Sequence, residues 1–172
     1  MARPVVAIVQ ARMGSERLPG KMLEPLSGQP LLEWVLARLK NATLLDHIVL
    51  ATTTDERDDP LAKIASDDGV EVFRGDEQDV LGRYYDLATR TNANTIIRIT
   101  ADCPFSDPKL IKKAIQLYNS KDVDYLSNVL DRSYPDGLDI EIFSYEALKI
   151  THERCKDILL REHVTPYMKT NY

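Results

Sequence analysis

The sequence predicts an α/β fold: a mostly parallel sheet with helices on both faces. Three observations carry this reading. Short apolar runs rich in valine and isoleucine recur along the chain. Segments with apolar residues at helical spacing lie between them. Two Asp-Pro pairs, Asp59-Pro60 and Asp107-Pro108, mark the starts of helices, with aspartate as the cap and proline at the first helical position. Strands that alternate with helices form βαβ units, which build parallel sheets.

The elements follow in order. PVVAIVQ, residues 4–10, is a continuous apolar run of the kind that is buried on both faces of a sheet. After Pro30, the residues Leu31, Leu32, Val35, Leu36 and Leu39 recur with the helical period. HIVLATT, 47–53, is a second buried strand, and Leu61, Ile64 and Ala65 then form the inner face of a helix opened by Asp59-Pro60. VEVF, 70–73, is a third strand, followed by a helix from about Gln78 to Thr91 with Leu81, Tyr84, Tyr85 and Ala88 together. TIIRIT, 95–100, is a fourth strand. Leu110, Ile111, Ala114, Ile115 and Tyr118 line the helix opened by Asp107-Pro108. DVDYLS, 122–127, is a weaker strand, and LDIEIFS, 138–144, alternates strictly, as an edge or mixed-direction strand does.

The 172 residues suit one domain, with 44% apolar and 28% charged residues. The final stretch, REHVTPYMKTNY, shows no obvious closing element, which points to a further C-terminal segment. A net charge of −5 argues against general attraction to nucleic acid or anionic membrane. Cys103 and Cys155, far apart, resemble neither a disulfide framework nor a metal knuckle. With no signal-peptide pattern and no long apolar span, a cytoplasmic location is expected.

Ligands of such sheets sit beyond the carboxyl ends of the strands. The stretch QARMGSERLPGKML, 10–23, follows the first strand and concentrates Arg12, Arg17 and Lys21 against Glu16. It fails the P-loop pattern: five residues separate Gly14 from Gly20, Met22 replaces the hydroxyl, and Pro19 removes an amide. It is not a G-x-G-x-x-G fingerprint either. It keeps the physics of both: glycine lets the backbone approach a ligand, and amides around Gly14 and Ser15 would point at an anion. The plain alternative is a solvated loop. RITADCPF, 98–105, puts Asp102 at the tip of the fourth strand, on the same sheet edge. Mg²⁺ is commonly held by one or two carboxylates plus substrate phosphates, so Asp102 is a candidate ligand; the alternative is a turn aspartate.

Together, VQARMGSERLPGKML, FRGDEQDVLGRYY, RITADCPFSDP and YPDGLDIEIFS closely resemble the cytidylyltransferases of the spore coat polysaccharide biosynthesis protein F type, relatives of the CMP-sialic acid and CMP-Kdo synthetases. The resemblance runs from Val5 to Tyr167. It implies a Rossmann-like, three-layer α/β/α nucleotide-diphospho-sugar transferase fold. It implies transfer of CMP from CTP to a sugar or sugar acid, with release of pyrophosphate, and a homodimer. By motif, the backbone from Ala11 through Arg12 and Met13 to Gly14 would hold the nucleotide, and Arg12 and Lys21 would grip the triphosphate, joined by Arg17. Gly75, Asp79, Val80 and Arg83 would lie near base and ribose. Asp102 matches the metal-binding aspartate, with Asp139 or Glu141 as the second carboxylate; alternation puts both on one face of a strand. Ala101 stands where relatives commonly have glycine. His163, Tyr134 and Asp136 are candidates for the acceptor side, against a structural histidine and a simple Pro-Asp-Gly turn. Two alternatives stay open: another transferred nucleotide such as a guanylyl group, and a non-catalytic nucleotide-binding subunit.

Overall fold

The computed structural model describes residues 4–15, 17–132 and 134–171; Glu16, counted above against the cationic loop, lies outside them. The chain runs β1 (Val5–Gln10), β2 (Pro25–Leu26), β3 (Gln29–Pro30), α1 (Leu31–Lys40), β4 (His47–Thr53), α2 (Asp59–Asp67), β5 (Glu71–Gly75) and α3 (Val80–Arg90). It continues through β6 (Thr95–Thr100), α4 (Pro108–Asn119), β7 (Tyr125–Ser127), β8 (Glu141–Ser144), α5 (Tyr145–Arg154), α6 (Ile158–His163) and α7 (Pro166–Asn171). Six strands form one sheet in the order β5-β4-β1-β6-β8-β7.

The expected parallel strands β1, β4, β5 and β6 pair in parallel, with β1 at the centre between β4 and β6. β8 runs antiparallel to β6, and β7 antiparallel to β8, so the sheet is of mixed direction with β7 at its edge. Successive strand residues face opposite sides. Ala7, Val9, Leu50, Ile97 and Ile99 pack on one side against Leu32, Val35 and Leu36 of α1, Leu61 of α2 and Ile111 and Ile115 of α4. Val6, Ile8, Val49, Ala51 and Ile96 pack on the other against Leu81, Tyr84 and Leu87 of α3, Leu148 of α5 and the C-terminal Val164 and Met168. These layers make the α/β/α, Rossmann-like sandwich. Each fully buried aliphatic side chain contributes roughly 1.5–3 kcal/mol of transfer free energy.

Local chemistry sets the helix ends. The Asp107 carboxylate accepts from the Lys109 amide at 2.8 Å, as the Asp-Pro reading expects. At the other pair the helix starts one residue earlier: Asp59 is already helical, and Asp58 occupies the cap position without capping. Its side chain is turned inward, to a task described below.

Three parts of the chain went unread in the sequence. The β2–β3 hairpin has strands of two residues. α5 follows β8 directly, capped by the Ser144 hydroxyl, which accepts from Ala147 N–H at 3.0 Å. The stretch that showed no closing element folds into α6 and α7, and it seals one face of the sheet with the buried Val164 and Met168. Among the described residues no helix is long and apolar enough to cross a membrane.

Candidate active site

A cleft of about 450 Å³ opens at the carboxyl ends of β1 and β6. Parallel pairing in register places Gln10 beside Thr100 and Ile8 beside Arg98. The sheet therefore lays Gln10, Thr100 and Arg98 along the floor of the cleft. The 10–23 stretch forms one wall with Arg12, Ser15, Arg17 and Lys21, Asp102 stands at the lip, and Glu162 and His163 close the side from the end of α6.

Lys21 and Asp102, 81 residues apart, meet: Lys21 Nζ donates to Asp102 Oδ2 at 2.6 Å. Gly20 makes this possible. It turns the chain in the left-handed region at φ 74°, just before the short 3₁₀ turn that carries Lys21. Burial works to raise the Asp102 carboxyl, but the bond from Lys21 outweighs it, and the group sits below its usual range. Asp102 remains 43% exposed, its Oδ1 lies 3.9 Å from the Cys103 thiol, and Thr100 also hydrogen-bonds the carboxylate. An exposed carboxylate at the rim of a cleft lined by Arg12, Arg17 and Lys21 fits a divalent cation shared with substrate phosphates. Among the described residues, no group of three or more His, Cys, Asp and Glu side chains is placed to hold a metal by itself.

The loop is held from below rather than left in solvent. Ala11 N–H donates to Ala51 O at 3.2 Å, and Met13 N–H donates to the buried Asp58 Oδ1 at 2.7 Å. Ser15 N–H, expected to face an anion, turns instead to Met13 O at 2.8 Å, so Ser15 offers the cleft its side chain. Arg12 spans the rim: its guanidinium reaches Glu162 at 3.2 Å and Glu77 at 3.7 Å. Glu77 also lies 3.2 Å from where a Cβ on Gly14 would stand, so glycine there lets segment 75–83 approach the loop.

That segment sits beside the cleft, and none of Gly75, Asp79, Val80 and Arg83 lines it. Val80 is core. Asp79 caps α3 through Gly82 N–H at 2.9 Å and takes a two-pronged bond from Arg161 at 3.0 and 2.7 Å, which ties α6 to α3. Arg83 is 2% exposed, with all three guanidinium nitrogens unpartnered among the described residues. Burial, and then the nearby charge of Arg12, push it below the ordinary arginine value. Tyr134 and Asp136 lie on an exposed turn outside the cleft lining, with Asp136 paired to Arg132.

The two candidate second carboxylates differ in depth. β6 and β8 pair Arg98 with Glu141. Asp139 lies two residues before β8 with its side chain 37% exposed, and neither it nor Glu141 is among the residues that line the cleft. Asp139 pairs with Arg132 at 3.3 Å. Burial, followed by the charges of Asp102 and Asp139, raises the Cys103 thiol. Glu141 lies deeper and is 5% exposed. It bonds Arg98 at 2.6 Å, Lys169 at 2.8 Å, and the hydroxyls of Tyr125 at 2.6 Å and Thr165 at 2.7 Å. Burial alone would raise its carboxyl; Arg98, followed by those three donors, brings it down from 4.5 to about 2. A carboxyl lowered on folding stabilises fully above its unfolded value and loses that contribution as pH falls through its folded value. Glu141 is therefore expected to contribute about 3 kcal/mol at neutral pH, fading between roughly pH 4.5 and 2. Urea titrations across that range should show the stability gap between the protein and Glu141→Gln closing toward pH 2; a constant gap would contradict the assignment.

Sequence reasoning missed Gln10, Arg98, Glu162 and Asp58. Arg98 alone carried a local signal, a charge inside the buried run TIIRIT.

Three relatives bear on this arrangement. The spore coat polysaccharide biosynthesis protein SpsF of Bacillus subtilis is 35% identical, over 97% of this chain and 70% of its own. The 3-deoxy-manno-octulosonate cytidylyltransferase of Geobacter sulfurreducens is 33% identical, over 64% of this chain and 44% of its own. A solved cytidylyltransferase from Leptospira borgpetersenii serovar Hardjo-bovis superposes with a TM-score of 0.94 at 38% identity, over 99% of this chain and 72% of that one. The family model described as cytidylyltransferase matches residues 6–172, and the chain belongs to that family, the CTP-dependent nucleotidyltransferases, as a member of the SpsF type.

Proposed function

We propose that the cleft transfers the cytidylyl group of CTP to a hydroxyl of a sugar acid, for glycan assembly, with Mg²⁺ or a similar divalent cation as cofactor. The contact between Lys21 and Asp102 carries this reading, because it puts a cation for phosphate and an acid for metal at one strand edge. The acceptor oxygen forms a bond to the α-phosphorus, the bond from that phosphorus to the bridging oxygen breaks, and pyrophosphate leaves with the bond's electrons. The protein's share is placement and charge stabilisation. Arg12, Arg17 and Lys21 hold the triphosphate and answer the charge that grows on the leaving group. Asp102 holds the cation, with Asp139 as the second acid; Glu141 is committed to Arg98 and Lys169. The cation, when bound, supplies Lewis-acid polarisation of the phosphate oxygens. His163 lines the cleft and takes the proton of the acceptor hydroxyl.

The test is pyrophosphate release from CTP with Mg²⁺ or Mn²⁺ and a panel of sugar acids that includes 3-deoxy-manno-octulosonate, beside thermal shifts with CTP, GTP, UTP and ATP. Release with CTP alone among the nucleotides is expected. CTP binding without release from any acceptor would mark a nucleotide-binding subunit, and a preference for GTP would replace the transferred group.

A further inference from the structure

The cation on the floor of the cleft, Arg98, shares its counter-ion with a second cation. Arg98 and Lys169 converge on one carboxylate, Glu141, at 2.6 and 2.8 Å. The two hydroxyls that also bond Glu141, from Tyr125 and Thr165, are neutral. The cluster thus holds two cations against one anion, and its members are largely removed from water: the Arg98 side chain is 16% exposed, Lys169 27% and Glu141 6%. One edge of the Arg98 guanidinium, through Nη1, is spent on Glu141, while the side chain lines the cleft. An excess positive charge in a half-dry floor is costly unless a ligand brings the counter-charge.

A second unspent group faces the same space. Gln10 lines the cleft from the neighbouring strand, and its side-chain oxygen is buried without a partner among the described residues. A buried acceptor of this kind asks for a donor such as a hydroxyl. Both groups stand on central strands, so little conformational freedom is lost when they bind.

Resting on the cytidylyl-transfer reading, we propose that Arg98 recognises the carboxylate of the acceptor and Gln10 an adjacent hydroxyl, which makes these two the specificity-determining residues of the acceptor side. Glu141 is a positioning residue, held in turn by Lys169: it fixes one edge of the guanidinium, while Nε is buried without a partner among the described residues and the side chain lines the cleft. Depth separates this anion site from the triphosphate grip. Arg98 lies two strand residues, about 6.6 Å, below Thr100, whereas Lys21 and Asp102 stand at the lip. An acid bound to Arg98 thus presents its neighbouring hydroxyl upward, toward the α-phosphate. Arginine suits this role because its planar fork matches a carboxylate.

The experiment is calorimetric titration of the whole chain, with and without a saturating α,β-methylene analogue of CTP and Mg²⁺. The probes are 3-deoxy-manno-octulosonate and N-acetylneuraminate, each beside its C1 amide. The protein should prefer at least one acid over its amide by tenfold or more. Arg98→Met should erase that preference to within twofold while changing affinity for the CTP analogue less than twofold, and Arg98→Lys should keep part of it. Gln10→Leu should weaken acid and amide alike. Because Arg98→Met strands Glu141, the double variant Arg98→Met with Glu141→Gln, which removes both charges, is measured beside it with melting curves. Equal affinity of the unaltered protein for every acid and its amide overturns the proposal, as does a preference that survives in the double variant. A loss confined to the CTP analogue would assign Arg98 to the phosphates and also overturn it. Failure of the unaltered protein to bind the analogue refutes the cytidylyl-transfer reading instead, and the nucleotide-free titrations still decide the role of Arg98.

Discussion

Asp102→Asn is expected to lower pyrophosphate release by about 10³-fold while leaving the fold intact. The magnitude follows from the proposed role: removing one preorganised charge-stabilising group at a transferring phosphoryl centre typically costs about 10²–10³ in rate, and in the proposed site the lost charge would also anchor the cation. The fold should survive because Asp102 is 43% exposed and, among the described residues, the cation it pairs with is Lys21. An ion pair in such a setting contributes roughly 0–1 kcal/mol, and asparagine keeps an oxygen for Lys21 to bond. The melting temperature should therefore move by no more than about 3 °C. Titrating Mg²⁺ at fixed CTP separates anchor from bystander: loss of the anchor raises the concentration of metal needed for half-maximal rate. Activity retained at ordinary Mg²⁺ would remove Asp102 from the metal site, and with it the main support for the proposed chemistry. Lys21→Met makes the complementary cut, since it frees Asp102 and strips a phosphate contact. It should raise the KM for CTP without shifting the metal requirement.

The parallel sheet was legible because each inner strand is buried on both faces, and runs such as VVAIVQ have no other use in a chain of this composition. Elements too short for a period were not: β2 and β3 have two residues each, and α6 and α7 six. Such pieces are set by what they cover, and the buried Val164 and Met168 show their function only once the sheet is in place. That Arg12, Lys21 and Asp102 meet in one cleft was readable from their position after strands. Ranking Asp139 against Glu141 was not. Alternation fixes a face, whereas depth comes from the antiparallel register of β8 on β6, a contact 43 residues long between Arg98 and Glu141. Arg98 was visible as a charge in an apolar strand, but its meaning depends on that same distant partner. Asp58 was hidden among the neighbouring acids of TDERDDP. Nothing local tells which of them turns inward.

Asp58→Ala should cost about 3–5 kcal/mol of folding stability and melt the cationic loop with it. The carboxylate is 2% exposed. One oxygen accepts from Met13 N–H at 2.7 Å; the other accepts from the Thr52 hydroxyl at 3.1 Å, from Thr53 N–H at 3.2 Å and from the Thr53 hydroxyl. Hydrogen bonds to a charged group contribute about 1.5–3 kcal/mol each, and stranded donors add their own desolvation cost. The alanine strands two amides, and the buried Arg83, whose charge senses Asp58 favourably, loses that compensation. For a chain of this size the loss corresponds to a fall of roughly 10 °C in melting temperature. Function should fall by a separate route. Met13 N–H on Asp58 is one of the bonds, with Ala11 N–H on Ala51 O, that tie the loop to the sheet, so CTP affinity should drop more than stability alone explains. Asp58→Asn separates the two: it keeps one acceptor oxygen, so stability should partly recover while the geometry at Met13 stays impaired. Urea denaturation gives the first quantity, and CTP titration at a temperature where each variant is folded gives the second. A loss below about 1 kcal/mol would mean that the burial cost of the carboxylate cancels its bonds. In that case the aspartate would be a device for shaping the loop rather than for holding the fold.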